Sequence, residues 1–351
     1  MAGEATSSRR TEAAGIRRQE GLSAIRFIAV VGPCALFLAV VLLIAPLIGA
    51  RGISLHGVLA GDSTDRDILL LIRLPRILFG ALVGGALAVA GVLFQAILRN
   101  SLATPFTLGI SSGSTLGAVM AIWLGLDVVW WGMPVISLFA FTGALLTVLL
   151  VFFIARSSSG LPTFTLLLAG VTLNFVFGAL VLFFHYASNF TQASMMTMWT
   201  MGSLNVVGYT PWARTVPMVL LAVGVVIALS PKLNLLAVGE DWASTRGVNV
   251  HQLKTLSYFM GSVLTGAVTA FSGPIGFVGL VVPHTLRMIA GPDHRILVPG
   301  SFFLGAAFLV LCDTAARTLL SPTEIPVGII TALLGGPFFI ALLKKKPGEL
   351  W

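Results

Sequence analysis

Apolar runs long enough to cross a lipid bilayer recur along almost the whole chain, and this feature decides what it can fold into. A helix needs about 20 residues to cross the hydrocarbon layer, where every backbone N–H and C=O must be satisfied within the protein. Candidate spans fall near residues 27–49, 73–98, 106–125, 134–155, 162–186, 212–230, 253–271, 277–290, 297–315 and 326–343. The short alternating segments of a transmembrane β-barrel do not occur. The expected fold is therefore all-α: a polytopic integral membrane protein with about ten transmembrane helices. Its charged fraction of 10% agrees, since soluble domains carry about 25%. The eighth span is short and is entered through Ser272-Gly273-Pro274-Ile275-Gly276, which predicts a broken or tilted helix.

Charge sets the orientation. An even number of spans puts both termini on one side. With that side cytoplasmic, 15 of the 21 basic residues lie inside and 6 outside, the bias expected of a multi-pass protein. The net charge of +8 is thus a topology signal, and no nucleic-acid partner is expected. Residues 1–26, with Arg9, Arg10, Arg17, Arg18 and Arg26, read as a disordered basic cytoplasmic tail, and 27–346 as one membrane domain. Cys34 and Cys312 lie in separate apolar segments and read as packed residues rather than a disulfide or metal site.

Residues 231–252 form the one sizeable polar stretch between spans on the inner side. Glu240 and Asp241 stand where a short helix would begin, Arg246 near its end and Gly247 just past it, matching dipole and C-cap preferences. Asn249 and Gln252 then have the spacing of a capping pair opening the next span. A helix under a membrane domain is either a docking element or an ordinary amphipathic linker; physics alone leaves both open.

Chemistry of other kinds has no sequence support. No phosphate-binding G-x-x-x-x-G-K-[ST] occurs, so the chain is not expected to hydrolyse ATP. His56, His185, His251, His284 and His294 are dispersed, and no metal site or resident cofactor is expected. Asp313 is the one acid clearly inside an apolar span, with Arg317 one turn on.

Four separated segments carry a family resemblance. They are Arg73-Leu74-Pro75-Arg76 leading to Gly84-Gly85-Ala86-Leu87-Ala88, then Asn100-Ser101-Leu102-Ala103-Thr104-Pro105 with Leu108-Gly109-Ile110-Ser111-Ser112-Gly113. The third is Trp199-Thr200-Met201-Gly202-Ser203-Leu204. The fourth is Gly273 to Leu280 with Pro283-His284, Arg287 and Asp293-His294-Arg295. Together they resemble the FecCD family, the permeases of iron–siderophore, haem and cobalamin ABC importers; Ser101 replaces the family's usual proline.

The resemblance implies a homodimer in the bacterial inner membrane, two ATP-binding-cassette ATPase subunits below, and a periplasmic or lipid-anchored binding protein above. ATP would be used by the partner subunit. Gly239, Glu240, Ala243, Arg246 and Gly247 match the family's coupling loop, which docks into the ATPases. Arg73, Arg76 and Arg317 match positions that pair with glutamates of the binding protein, and are expected as an exposed basic triad. For the substrate pathway, His185 and Tyr186 are ligand candidates, and Met198 and Met201 a flexible lining. The rival reading is an ion-coupled secondary transporter, which would place ionisable residues at mid-membrane; these spans are nearly free of them.

Overall fold

The computed structural model describes residues 24–49, 63–130, 132–156 and 161–343. Most of the proposed basic tail, and Lys344 to Lys346, lie outside the described residues.

A buried central helix organises the bundle. Helix α1 (Ala24–Ile44) precedes a helical lead-in, Ser63–Asp67 and a π-helical stretch Ile68–Arg73, that runs without a break into α2 (Leu74–Leu98). Pro75 follows closely on the π-helical stretch, inside the continuous helix, where a proline's missing N–H interrupts the regular ladder. From Phe79 to Leu98 α2 is buried at nearly every position, because small residues (Gly84, Gly85, Ala86, Ala88, Ala90, Gly91) let neighbouring backbones close on it from all sides.

Around it stand α3 (Ile110–Trp123), α4 (Val135–Ala155), α5 (Thr163–Tyr186) and α6 (Phe190–Thr200). Then follow α7 (Thr210–Val238), α8 (Glu240–Thr245), α9 (Val250–Ser272), α10 (Val278–Ala290), α11 (His294–Thr318) and α12 (Val327–Leu343). A small antiparallel hairpin, β1 (Val129–Trp130) and β2 (Met133–Pro134), joins α3 to α4.

A helix occupies each of the ten expected segments. By length and composition, six among the described residues can cross a membrane: α1, α2 with its lead-in, α4, α5, α7 and α11. Helices α3, α10 and α12 are apolar but shorter. Helix α9 is long and more polar; the hydroxyls of Ser262, Thr265 and Ser272 return to carbonyls of their own helix, which makes them tolerable in a buried setting. Helix α6 was not expected. It opens on a full capping box, with Asn189 and Gln192 each accepting the other's backbone N–H. Helix α1 begins before the proposed end of the tail, and Arg26 donates to Ala290 O, satisfying a C-terminal carbonyl of α10.

Candidate functional site

Irregular backbone buried deep in the bundle marks the first site. The chain between α9 and α10 is non-helical, with Gly273 and Phe277 both at positive φ, as the glycine-rich entry to the eighth span predicts. The segment between α2 and α3 is also non-helical, yet Ala103 and Leu108 are buried. Its polar atoms find partners: Asn174 of α5 donates to Phe106 O at 2.7 Å and its Oδ1 accepts from Ser112 Oγ at 2.5 Å. Non-helical backbone at membrane depth is tolerated only where protein covers it or where it lines a cavity.

A cavity of about 460 Å³ lies where these segments converge. Its wall includes Phe106, Met201, Pro274, Gly276, Ile329 and Leu333, with no charged side chain. The end of α6 is tied to this junction by Ser203 N–H donating to Ser272 O at 2.7 Å, and the start of α12 by Gly328 N–H donating to Gly202 O at 3.4 Å. Of the four expected pathway residues only Met201 reaches the cavity. Tyr186 is 92% exposed, His185 stands beside it half-buried at the end of α5, and Met198 faces outward from α6. Those three are therefore not part of this lining. The other wall residues come from segments far apart in sequence.

Helix α8 is the second site. The local signals in the sequence describe it well: Glu240 and Asp241 in the first turn, Gly247 at φ +80 past the end, and Gly247 N–H closing on Ser244 O at 3.0 Å. Ala243 is fully buried and seats the helix on the bundle, while Asp241, Ser244, Thr245 and Arg246 face outward. Lys254 of α9 reaches back to Glu240 at 2.6 Å and fixes the helix at its start. Trp242, unremarked in the sequence, is half-exposed and carries the Arg246 guanidinium 5.1 Å above its ring, a cation–π contact that holds Arg246 in place.

The expected exposed basic triad is not exposed. Arg73, Arg76 and Arg317 are each about 5% accessible. Arg76 binds Asp313 through Nε and Nη2 at 2.9–3.1 Å and Glu324 through Nη1 at 2.7 Å. Arg317 Nε lies 3.1 Å from Asp313 Oδ2, an ion contact not aligned as a hydrogen bond. Arg73 donates to Pro46 O and Arg317 to Ile48 O, so both hold the chain that follows α1. The physical reason is charge balance: a buried carboxylate recruits guanidinium groups, and the helices close over the pairs. Glu324, nearly half exposed, forms the outer rim.

A further polar cluster sits at the opposite end of the bundle from these arginines. Arg287 of α10 donates to Gln95 Oε1 of α2 at 3.0 Å, and Asp293, ahead of α11, binds Arg295 and Asn234. Burial alone would raise the Asp293 pKa; the hydrogen bonds from Arg295 and Asn234 outweigh it and hold the carboxyl below its ordinary value.

The model of the FecCD transport family matches residues 37–345. The cobalamin import system permease protein BtuC of Halobacterium salinarum is 43% identical over 283 residues, covering 81% of this chain and 75% of that one. The hemin transport system permease protein HmuU of Yersinia pestis is 38% identical over 323 residues, covering 88% and 95%. Among solved structures, one described as an inward-facing conformation of a metal-chelate type ABC transporter superposes with a TM-score of 0.81 at 32% identity, covering 91% of this chain and 99% of that one.

Proposed function

Since the chain belongs to the FecCD transport family, we propose that it is the membrane-spanning subunit of an importer that carries a metal chelate, an iron–siderophore complex or a haem- or cobalamin-sized relative. Permeases of this family work with a separate ATPase and a substrate-binding subunit. The observation that carries the chelate reading is the cavity: an apolar, uncharged wall built from irregular backbone suits a large ligand with its metal already enclosed.

In this reading the protein crosses a bacterial inner membrane ten times with both termini in the cytoplasm, and pairs as a homodimer. Large apolar side chains exposed along α5 and α12, among them Phe175, Leu182 and Leu333, offer surface for a second copy or for lipid. Helix α8, with Gly239, Glu240, Ala243, Arg246 and Gly247, is the ATPase coupling element. The binding protein docks over the Arg73–Arg76–Arg317 cluster; because Asp313 and Glu324 already engage Arg76 and Asp313 engages Arg317, docking carboxylates would have to displace Glu324 at the rim.

The test is uptake into liposomes by the permease with its ATPase and binding protein, across ferric hydroxamates, ferric catecholates, haem and cobalamin. ATP-dependent accumulation of one chelate is expected. Uptake driven by an ion gradient with no ATPase present would overturn the reading. The permease alone should turn over no ATP, measurable as phosphate release from the purified chain.

Gly247 supplies a sharper check on α8. Nothing lies within 4 Å of a Cβ built there, so a side chain meets no clash, only the backbone strain of φ +80. For an L-residue that strain is about 1–2 kcal/mol, more when β-branched. Gly247→Val should leave the bundle folded and lower transport per ATP hydrolysed, whereas Gly247→Asn should retain most of it. Normal coupling in the valine variant would remove α8 from the mechanism.

A further inference from the structure

Asn234 lies one turn before the end of α7, close before the Gly239 link to α8, and both ends of its amide are engaged across to another element. Nδ2 donates to Asp293 Oδ1 at 2.7 Å. Oδ1 accepts from His294 N–H at 2.8 Å and lies 2.8 Å from His294 Nδ1. The backbone N–H can only donate, so the amide orientation is fixed, and the His294 proton must sit on Nδ1 to face an acceptor. Asp293 meanwhile caps α11 through Arg295 N–H at 3.0 Å and binds the Arg295 guanidinium at 2.9 Å. His294 is buried. The end of α7 is thereby fastened to the α10–α11 connection.

That connection leads to the cavity. Helix α10 has 13 residues, about 20 Å at 1.5 Å per residue, and its far end is the broken segment carrying Pro274 and Gly276. It is a short element, with Pro283 inside it, between the Asn234 contact and the cavity wall. The Lys254–Glu240 pair ties α8 to α9, whose far end enters the same broken segment at Ser272. Displacement of α8 can therefore reach the cavity along two helices, and Asn234 serves the one through α10.

We propose that Asn234 is a positioning residue that couples the docking helix α8 to α10, so that partner engagement below the bundle is felt at the cavity wall. The inference rests on the docking of an ATPase subunit at α8. Its test is hydrogen exchange of the full-length permease in detergent, with and without the ATPase subunit, compared over residues 239–248 and 291–297. In the wild type, ATPase binding should slow exchange in both segments, by roughly fivefold or more in the second, the low end of measured coupling between sites.

Asn234→Leu should keep the slowing over 239–248 and lose it over 291–297. Asn234→Asp sets a second carboxylate against Asp293 and should behave the same way. The exchange pair Asn234→Asp with Asp293→Asn reverses the 234–293 hydrogen bond and keeps an oxygen at 234 to accept from His294 N–H, while Arg295 N–H loses its cap acceptor; it should recover the distant slowing, which a purely local packing role would not produce. If the leucine variant fails to fold, the exchange pair and the wild-type comparison still decide. Slowing over 239–248 but not 291–297 in the wild type, or equal slowing of both in Asn234→Leu, would overturn the inference. No slowing over 239–248 would overturn ATPase docking itself, and the inference with it.

Discussion

Asp313→Ala should be among the most damaging single substitutions in this protein, with little folded material recovered. The carboxylate is 2% exposed and stands between the guanidinium groups of Arg76 and Arg317, with Glu324 reaching Arg76 alone. Its removal leaves two buried cations facing each other over a hole. Breaking a buried pair costs about 3–5 kcal/mol through the charge left uncompensated, and here two charges lose their shared partner. Arg76→Met should be milder, because Asp313 keeps Arg317 and Glu324 can turn to solvent. Asp313→Asn should fall between, retaining shape and an acceptor oxygen. The measurement is the monodisperse peak and thermal midpoint of each variant in detergent. A stable Asp313→Ala protein would show that this cluster carries no folding role and would return the arginines to docking alone.

The same network explains why sequence reading misplaced these arginines. Arg73 and Arg76 look exposed because they sit at the outer start of a span with a proline between them, and a cation there opposes the helix dipole. What buries Arg76 is Asp313, 237 residues away, a pairing no local pattern reveals. The Asp313–Arg317 relation was legible because it is four residues long, yet it is the less aligned of the two contacts. Reversing Arg73 and Arg76 to Glu, harmless for surface residues, is now expected to fail at folding before docking can be measured.

Local hydrogen-bond grammar fared better. Helix α8 with its Gly247 cap, and the Asn249 side chain accepting from Gln252 N–H at 3.0 Å, could be read directly because cap and partner lie within one turn. The same Asn-to-Gln spacing at Asn189 and Gln192 opens α6, whose Thr, Gln and Ser dilute the hydropathy that would otherwise mark it. The cavity was the least visible feature. Phe106, Met201, Pro274 and Ile329 come from four segments that only tertiary packing brings together, and a single apolar side chain among many carries no mark of that role.

The second large effect is expected where backbones touch. A Cβ on Gly84 of α2 would overlap the Gly305 carbonyl of α11, and one on Gly91 would overlap the Gly279 carbonyl of α10. The first pair is reciprocal, since a Cβ on Gly305 would lie 2.6 Å from Gly84 O; a Cβ on Gly279 would instead meet Leu87 O at 2.6 Å, one turn before Gly91. Seven residues separate the two glycines on α2, so they share nearly one face about 10 Å apart, and α10 and α11 both close on it. Without a hydrophobic drive between helices in lipid, such close approach is what holds them. Alanine in a helix is worth up to about 1 kcal/mol over glycine, but overpacking a buried contact costs about 1–3 kcal/mol. Overlap with a carbonyl, which cannot rotate away, puts both sites at the upper end. Gly84→Ala and Gly91→Ala should each lower the thermal midpoint, and their effects should add because they are separate contacts. Gly224→Ala on α7, where nothing lies within 4 Å of the new Cβ, should be neutral or slightly stabilising. If all three variants melt alike, the tight seating of α2 is not what holds this bundle together.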